Sequence, residues 1–176
     1  INLTYQVPLL KLDNKQKFRD NNQLTNQKIV LFHPGYGGSS DGNLTLEGYL
    51  KLAKVIRNLP NIQVVWVFGP DDLDAKDKIK GLIPDTDIIY HPSTLLDYCF
   101  LIRDSELLIS TSTGPMHLAG ALNIKTVSFF GNNLFASSKR WATVSETNKQ
   151  LNIEIDKDYQ QDLLKKIIDS AIQKLN

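Results

Sequence analysis

The stretch Leu-Leu-Ile-Ser-Thr-Ser-Thr-Gly-Pro-Met-His-Leu-Ala-Gly-Ala-Leu, residues 107–122, carries the most chemically suggestive spacing in the sequence. An apolar run of strand character delivers Thr111, Ser112, Thr113 and Gly114, and Pro115 then suits the first turn of a helix, where its missing N–H costs nothing. The first turn of a helix leaves N–H groups unpaired and carries partial positive charge, so an anion is attracted there. Gly114 admits a ligand to the backbone, the neighbouring hydroxyls add donors, and His117 in the same turn can donate to a phosphate oxygen. The helix dipole would lower the His117 pKa when the turn is empty, and a bound anion would raise it. Ser and Thr before a helix are also ordinary caps. By itself the segment therefore leaves two readings open, a structural turn and a phosphate site. No Gly-x-Gly-x-x-Gly pattern is present, which disfavours NAD-type binding.

Such a turn needs a frame to hold it, and the rest of the sequence supplies one. Apolar runs at 28–32, 63–68, 87–90, 106–110 and 125–130 read as strands, with a weaker one at 151–155. Between them fall helical patterns at 46–59, capped by Thr45, at 95–103, with Ser93 or Thr94 as cap, and at 72–82, 115–122 and 159–175. Strands alternating with helices pair in parallel, and crossovers on both faces give an α/β, Rossmann-like doubly wound sheet. Ligands of such sheets sit beyond the carboxyl ends of the strands, where this sequence concentrates Gly, Ser, Thr and Asn. Residues 1–27 are polar and irregular. They read as a linker or interdomain segment with a short helix near 14–22, its apolar face free for a partner. Residues 28–176 read as the domain.

Composition narrows the function. In the 176 residues, 41% are hydrophobic and 22% charged, and 20 basic against 19 acidic residues leave a net charge of +1. That balance gives no global reason to bind nucleic acid or an anionic membrane. The apolar runs are strand-length and too short to cross a bilayer. The single cysteine, Cys99, excludes an intramolecular disulfide and a multi-cysteine zinc site, and the histidines at 33, 91 and 117 have no metal-ligand spacing. Met116 is the one methionine and Ile1 stands first, so the sequence is expected to be a piece of a longer chain.

Residues 107–122 resemble the signature of the ADP-heptose–lipopolysaccharide heptosyltransferase family, glycosyltransferase family 9. The family shows an Asp-Thr-Gly-Pro-Met-His-Leu-Ala type of sequence here. Lys-Ile-Val-Leu-Phe-His-Pro-Gly-Tyr-Gly-Gly-Ser-Ser at 28–40 is similar to its strand ending in His-Pro-Gly. Val-Val-Trp-Val-Phe-Gly-Pro-Asp-Asp at 64–72 and Lys-Thr-Val-Ser-Phe-Phe-Gly-Asn-Asn at 125–133 match two further strand ends, in the family's order. The resemblance implies the C-terminal half of a GT-B glycosyltransferase, with the acceptor domain and the general base lying outside this sequence. It implies that Gly35, Tyr36, Gly37, Ser39, Ser40, Ser112, Thr113, Gly114, Pro115 and His117 face a donor diphosphate. Asp72 would serve the nucleoside, with Asp71 as a competing assignment, and Gly131 and Lys139 complete the expected donor-binding set, Lys139 as replacement charge.

Two positions depart from the family. Ser112 stands where Asp is usual, and 41–45 (Asp-Gly-Asn-Leu-Thr) stands where a basic residue precedes Trp-Pro. The implied reaction is transfer of a heptosyl or other glycosyl group from a nucleotide diphosphate sugar, ADP-heptose or a relative, to a lipopolysaccharide-type or other bacterial glycan. It needs no metal and no cofactor besides the donor, and the chain alone would bind donor without turnover. The expected setting is cytoplasmic, at the inner face of the membrane, with at most peripheral contact and no nucleic acid. A non-catalytic Rossmann-like interaction domain is the alternative, and an epimerase half-domain is a third reading. Elsewhere, His33 and Trp66 read as structural, Cys99 as core and His91 as solvated. Lys139 and Arg140 offer replacement charge or a solvated pair, and Phe135 and Trp141 suit either the base or a domain interface.

Overall fold

The computed structural model describes residues 10–12, 17–35, 42–69, 72–156 and 161–175. Six strands, β1 (Lys28–His33), β2 (Ile62–Val67), β3 (Ile88–Tyr90), β4 (Leu107–Thr111), β5 (Lys125–Gly131) and β6 (Gln150–Ile155), form one sheet in the order β3-β2-β1-β4-β5-β6. Every pairing is parallel, and β1 lies at the centre, with Val30 level with Val64 of β2 and Leu107 of β4. The central strands are apolar over Ile29–Phe32 and Leu107–Ile109 because both faces are covered.

Alternate residues separate the two layers. Val30, Phe32, Val64, Trp66, Leu107 and Ile109 pack on one face with Leu52 and Ile56 of α2 (Leu46–Arg57), Ile79 of α3 (Leu73–Lys80), and Leu164 and Ile167 of α7 (Gln161–Leu175). Ile29, Leu31, Val65, Val67 and Leu108 pack on the other with Phe18 of α1 (Lys17–Asn21), Leu101 and Ile102 of α4 (Leu95–Arg103), and Ala119 of α5 (Gly114–Ala121). Two helix starts carry the expected caps. Thr45 Oγ1 accepts from the Gly48 N–H at 3.1 Å, and Thr94 Oγ1 accepts from the Asp97 N–H at 3.0 Å.

The leading segment differs from its sequence reading in one respect: its apolar side is already covered. Phe18 meets Tyr90 edge-on at 4.9 Å, and the Arg19 guanidinium donates to the carbonyls of Leu24, Gln27 and Asp104 at 2.9, 2.9 and 2.7 Å. The polar stretch after β5 holds a short helix, α6 (Ser138–Trp141), and a 3-10 turn (Thr147–Lys149). The small Gly120 admits Thr143, since a Cβ there would fall 1.4 Å from Thr143 Oγ1.

The edge strand β3 has only three residues, and an ion pair secures its start. Arg57 donates to both carboxylate oxygens of Asp87 at 2.6 and 2.5 Å, and Trp66 Nε1 donates to Asp87 Oδ2 at 2.8 Å. Trp66 is thus packed, as expected, and also hydrogen-bonded. With the Asp87 side chain 1% exposed, this bidentate pair is shielded from solvent on one side and locks α2 to the sheet edge.

Candidate functional site

The sheet order reverses between β1 and β4. Connections from β1 run outward through α2 on one face, and those from β4 run outward through α5 on the other. The two helices diverge, and a crevice opens beyond the carboxyl ends of the two central strands, as in other doubly wound sheets. Gly35 ends the β1 side of this crevice, and Ser112–Gly114 ends the β4 side.

Gly42 shows how closely the chain passes over those strand ends. A Cβ on Gly42 would lie 1.9 Å from the Phe130 carbonyl carbon and 2.1 Å from the Gly131 nitrogen. Its carbonyl accepts the buried Thr111 hydroxyl at 2.7 Å. Gly131 is buried at the end of β5, and its N–H is used on the Ala136 carbonyl at 3.1 Å. Asn43 continues the contact, donating to the Pro34 carbonyl at 3.4 Å and accepting the Tyr49 hydroxyl at 2.7 Å.

At the start of α5, the Ser112 N–H donates to the Phe129 carbonyl at 3.1 Å, and the Thr113 hydroxyl donates to the Thr111 carbonyl at 3.3 Å. Thr113 occupies the cap position without capping through its side chain, and Pro115 falls in the first turn. The Gly114 N–H has no partner among the described residues, and a Cβ on Gly114 would meet nothing within 4 Å. The backbone at the start of the helix is thus open on its Cβ side. His117 is exposed in the same turn, and the partial desolvation of its ring lowers its pKa, so the ring is neutral near pH 7.

Across β1, His33 and Asp72 flank Gly35. The His33 ring is buried, and its Nδ1–H donates to the Val67 carbonyl at 3.0 Å, which leaves Nε2 as an acceptor. Burial holds its pKa below the usual histidine value, only partly offset by the Val67 bond and the Asp72 charge. Asp72 precedes α3 but does not cap it. Its Oδ2 accepts from the Gly69 N–H at 3.1 Å and lies 4.0 Å from His33 Nε2. A Cβ on Gly35 would lie 2.7 Å from both Asp72 Oδ2 and His33 Nε2, so the absent side chain is what lets these two groups close over the strand end.

Beside Asp72, at the carboxyl ends of β2 and β3, is a cavity of about 360 Å³. It is lined by Phe68, Gly69, Tyr98 and the segment from His91 to Leu95. His91 is exposed but not unpartnered: its Nδ1–H donates to the Phe68 carbonyl at 3.0 Å. Tyr98 is buried, and its hydroxyl has no hydrogen-bond partner among the described residues. Burial, helped by the Asp72 charge, pushes its pKa far above the ordinary phenol value, so it stays protonated. Sequence reasoning missed this slot. Tyr98 follows the apolar pattern of α4, and only the fold reveals that the ring reaches the strand ends.

The structure therefore brings Gly35, Asp72, Ser112, Thr113, Gly114, Pro115 and His117 to one edge, with Gly131 buried beneath Gly42. Tyr36, Gly37, Ser39, Ser40 and Asp71 lie outside the described residues. Lys139 is exposed on α6, and the Arg140 guanidinium stacks over Phe135 and Trp141 at 5.6 and 5.0 Å from the ring centres. Cys99 is buried, and burial raises its pKa, which keeps the thiol protonated. Among the described residues no group of His, Cys, Asp and Glu could hold a metal ion, and no helix is long and apolar enough to cross a membrane.

Comparison with known proteins agrees with this architecture. The model of glycosyltransferase family 9 (heptosyltransferase) matches residues 1–167. A Haemophilus influenzae protein assigned as a glycosyltransferase is 30% identical over 128 residues, 72% of this chain and 37% of its own length. Lipooligosaccharide heptosyltransferase 2 of Campylobacter jejuni is 27% identical over 153 residues, 83% of this chain and 46% of its own. The chain thus spans less than half the length of these curated relatives. Among solved structures, Escherichia coli ADP-heptose lipopolysaccharide heptosyltransferase II superposes with a TM-score of 0.76 at 22% identity. That match covers 96% of this chain and 53% of the other.

Proposed function

This chain belongs to glycosyltransferase family 9, and from that premise we propose that it binds the nucleotide diphosphate sugar donor of a glycosyl transfer in the crevice between β1 and β4. The observation that carries the reading is the start of α5, where the Gly114 N–H has no partner among the described residues and a Cβ on Gly114 would meet nothing within 4 Å, at the point where the sheet order reverses. The diphosphate lies over this turn, within reach of the Thr113 hydroxyl and His117. The nucleoside extends toward Asp72, whose carboxylate suits a ribose diol, and the base enters the slot beside Tyr98.

In the reaction, the acceptor oxygen forms a bond to the anomeric carbon while the bond from that carbon to the phosphate oxygen breaks. The acceptor proton passes to a base outside this chain, and negative charge grows on the departing nucleoside diphosphate. With the diphosphate over this turn, the Gly114 N–H and the α5 dipole are fixed beside the developing charge, so they stabilise it with little reorganisation. His117 adds to this once the anion favours its protonated form. A heptosyl or related sugar is the group transferred, and a lipopolysaccharide-type glycan at the inner face of the membrane is the acceptor. By this reading the chain alone binds donor and does not turn over, and neither metal nor further cofactor takes part.

Thermal unfolding with ADP, UDP, GDP and CDP and their sugar conjugates tests the reading. A ligand at one hundred times its Kd adds about 2.7 kcal/mol of stability, equivalent to a rise of roughly 5–10 °C for a chain of this size. One nucleotide is expected to give that shift, and His117→Ala to reduce it. No shift with any of them would overturn the donor reading in favour of a Rossmann-like module without a donor site, the direction in which Ser112 and the absent basic residue near Asn43 point.

A further inference from the structure

Phe135 and Trp141 are the two exposed aromatic side chains among the described residues, 72% and 40% open to solvent. Local hydrogen bonds hold them in place. Asn133 Oδ1 accepts from the Phe135 and Ala136 N–H groups at 3.0 and 2.9 Å, and Trp141 Nε1 donates to the Phe135 carbonyl at 2.7 Å. The Arg140 guanidinium lies over both rings, 5.6 Å from the centre of Phe135 and 5.0 Å from that of Trp141. A guanidinium carries its donors around the rim of a rigid plane, and stacking on an aromatic face uses none of them. Among the described residues the Arg140 guanidinium makes no hydrogen bond and no ion pair, and Arg140 is exposed. The rings thus hold an accessible cationic fork in position, so little side-chain freedom is lost when an oxyanion meets it.

The border of this cluster selects among anionic partners. Two exposed carboxylates adjoin it: Glu154 accepts the Ser138 hydroxyl at 3.0 Å, and Asp156 accepts the Asn132 side-chain amide. With Lys139 and Arg140 they give a rim of mixed sign, which a flat anionic lipid surface would meet with repulsion as well as attraction. A saccharide suits the mixture. Its C–H face covers an aromatic ring, its hydroxyls donate to carboxylates, and a phosphate or carboxylate on it takes the arginine fork. Position along the sheet edge agrees. The loop leaves β5, which adjoins β4, and α6 is tied to the last turn of β6 through Glu154. The nucleoside is assigned to the β2 side of the crevice, so this cluster flanks the crevice on the opposite side. We propose that Arg140, with Phe135 and Trp141, is an acceptor subsite on this domain, binding an oxyanion-bearing saccharide beside the donor. The acceptor role rests on the donor reading above and gives the acceptor a foothold outside its own domain.

Tryptophan fluorescence reads the site directly, since Trp141 is exposed and Trp66 is fully buried. The protein is titrated with glucose 6-phosphate, glucuronate, glucose and inorganic phosphate, and separately with ADP, UDP, GDP and CDP. The two anionic sugars are expected to bind more tightly than either glucose or inorganic phosphate. Arg140→Gln should weaken both about tenfold, the loss of a charged hydrogen bond, and leave glucose unchanged. Arg140→Lys, which keeps the charge without the fork, should recover only part of that loss. Phe135→Ala should weaken all three sugars, and no variant should alter nucleotide affinity. Absence of anionic-sugar binding by the parent would overturn the subsite, and nucleotide binding in the same protein would leave the donor reading standing. A fall in nucleotide affinity in Arg140→Gln would also overturn it, because Arg140 would then serve the donor diphosphate. So would binding of phosphatidylglycerol vesicles that Phe135→Ala abolishes, if no sugar binds, since the cluster would then be a membrane surface. If none of the four nucleotides binds, the donor reading and the acceptor role fall together, and the sugar titration alone decides whether Arg140 holds an anionic saccharide.

Discussion

Two glycines at the same edge of the sheet should respond oppositely to one added methyl group. At Gly42 the Cβ of alanine would stand 1.9 Å from the Phe130 carbonyl carbon, between backbone atoms that have no rotamer to change. Ordinary carbon contact is about 3.5 Å, so the chain at residue 42 must retreat by roughly 1.5 Å. That retreat pulls the Gly42 carbonyl away from the Thr111 hydroxyl it now accepts at 2.7 Å. Overpacking costs about 1–3 kcal/mol and the disrupted hydrogen bond about 1 kcal/mol, a total of roughly 2–4 kcal/mol. For a chain of this size the melting point should fall by roughly 5–15 °C.

At Gly114 the same Cβ meets nothing within 4 Å. Gly114→Ala should leave the melting point within about 2 °C of the parent, because a surface change without a clash costs at most ~0.5 kcal/mol. The methyl group nevertheless occupies open space beside the turn proposed to hold the diphosphate, so nucleotide affinity should fall although the fold is intact. Calorimetric melting of both variants, with and without the nucleotide that stabilises the parent, separates the two effects. A Gly42→Ala protein melting within a degree of the parent would refute the close passage of the chain over β5. Full nucleotide affinity in Gly114→Ala would refute a ligand at that turn.

The His33 ring and the Asp87 ion pair yield two further expectations. Burial holds the His33 pKa below its unfolded value, so the unfolded chain takes up the proton more readily and acid favours unfolding. This contribution is absent above the ordinary histidine value of about 6.5 and grows as pH falls below it. Between pH 8 and pH 5 the parent should therefore lose more stability than His33→Asn, and parallel urea-unfolding curves at the two values would disprove the assignment. Arg57→Met leaves the buried Asp87 carboxylate with only Trp66 Nε1 among its described partners, at a cost of roughly 2–4 kcal/mol. Chemical unfolding should show that loss, and Arg57→Met combined with Asp87→Asn should recover part of it.

Much of the frame could be read from the residues in order. Every predicted strand appears, within two residues of its expected limits, because runs such as 28–32 and 125–130 are apolar on both faces and too short for helices. Helix starts at Thr45 and Thr94 were legible because a capping hydroxyl is a local device that works within one turn. Asp72, Gly114 and His117 were singled out through their place at strand ends and through the family resemblance, and the fold brings them to one edge of the sheet. What escaped depended on partners far along the chain. His91 finds the Phe68 carbonyl across 23 residues, and Arg19 reaches Asp104 across 85. The apolar side of α1 shows the same limit: residues 14–22 suggest a helix, but only the fold shows Phe18 already resting on Tyr90.

What the sequence by itself determined is the alternation of strand and helix, the polar carboxyl edge and the start of α5 with Pro115 in its first turn. These follow from local periodicity, caps and backbone geometry, which act over a few residues. Tertiary structure alone decided that β1 and β4 are neighbours, that Gly42 rests on the end of β5, and that Tyr98 borders a slot shared by two other segments while its hydroxyl is buried without a partner among the described residues. Whether a buried polar atom is satisfied depends on every element around it, and no window along the chain contains those elements together.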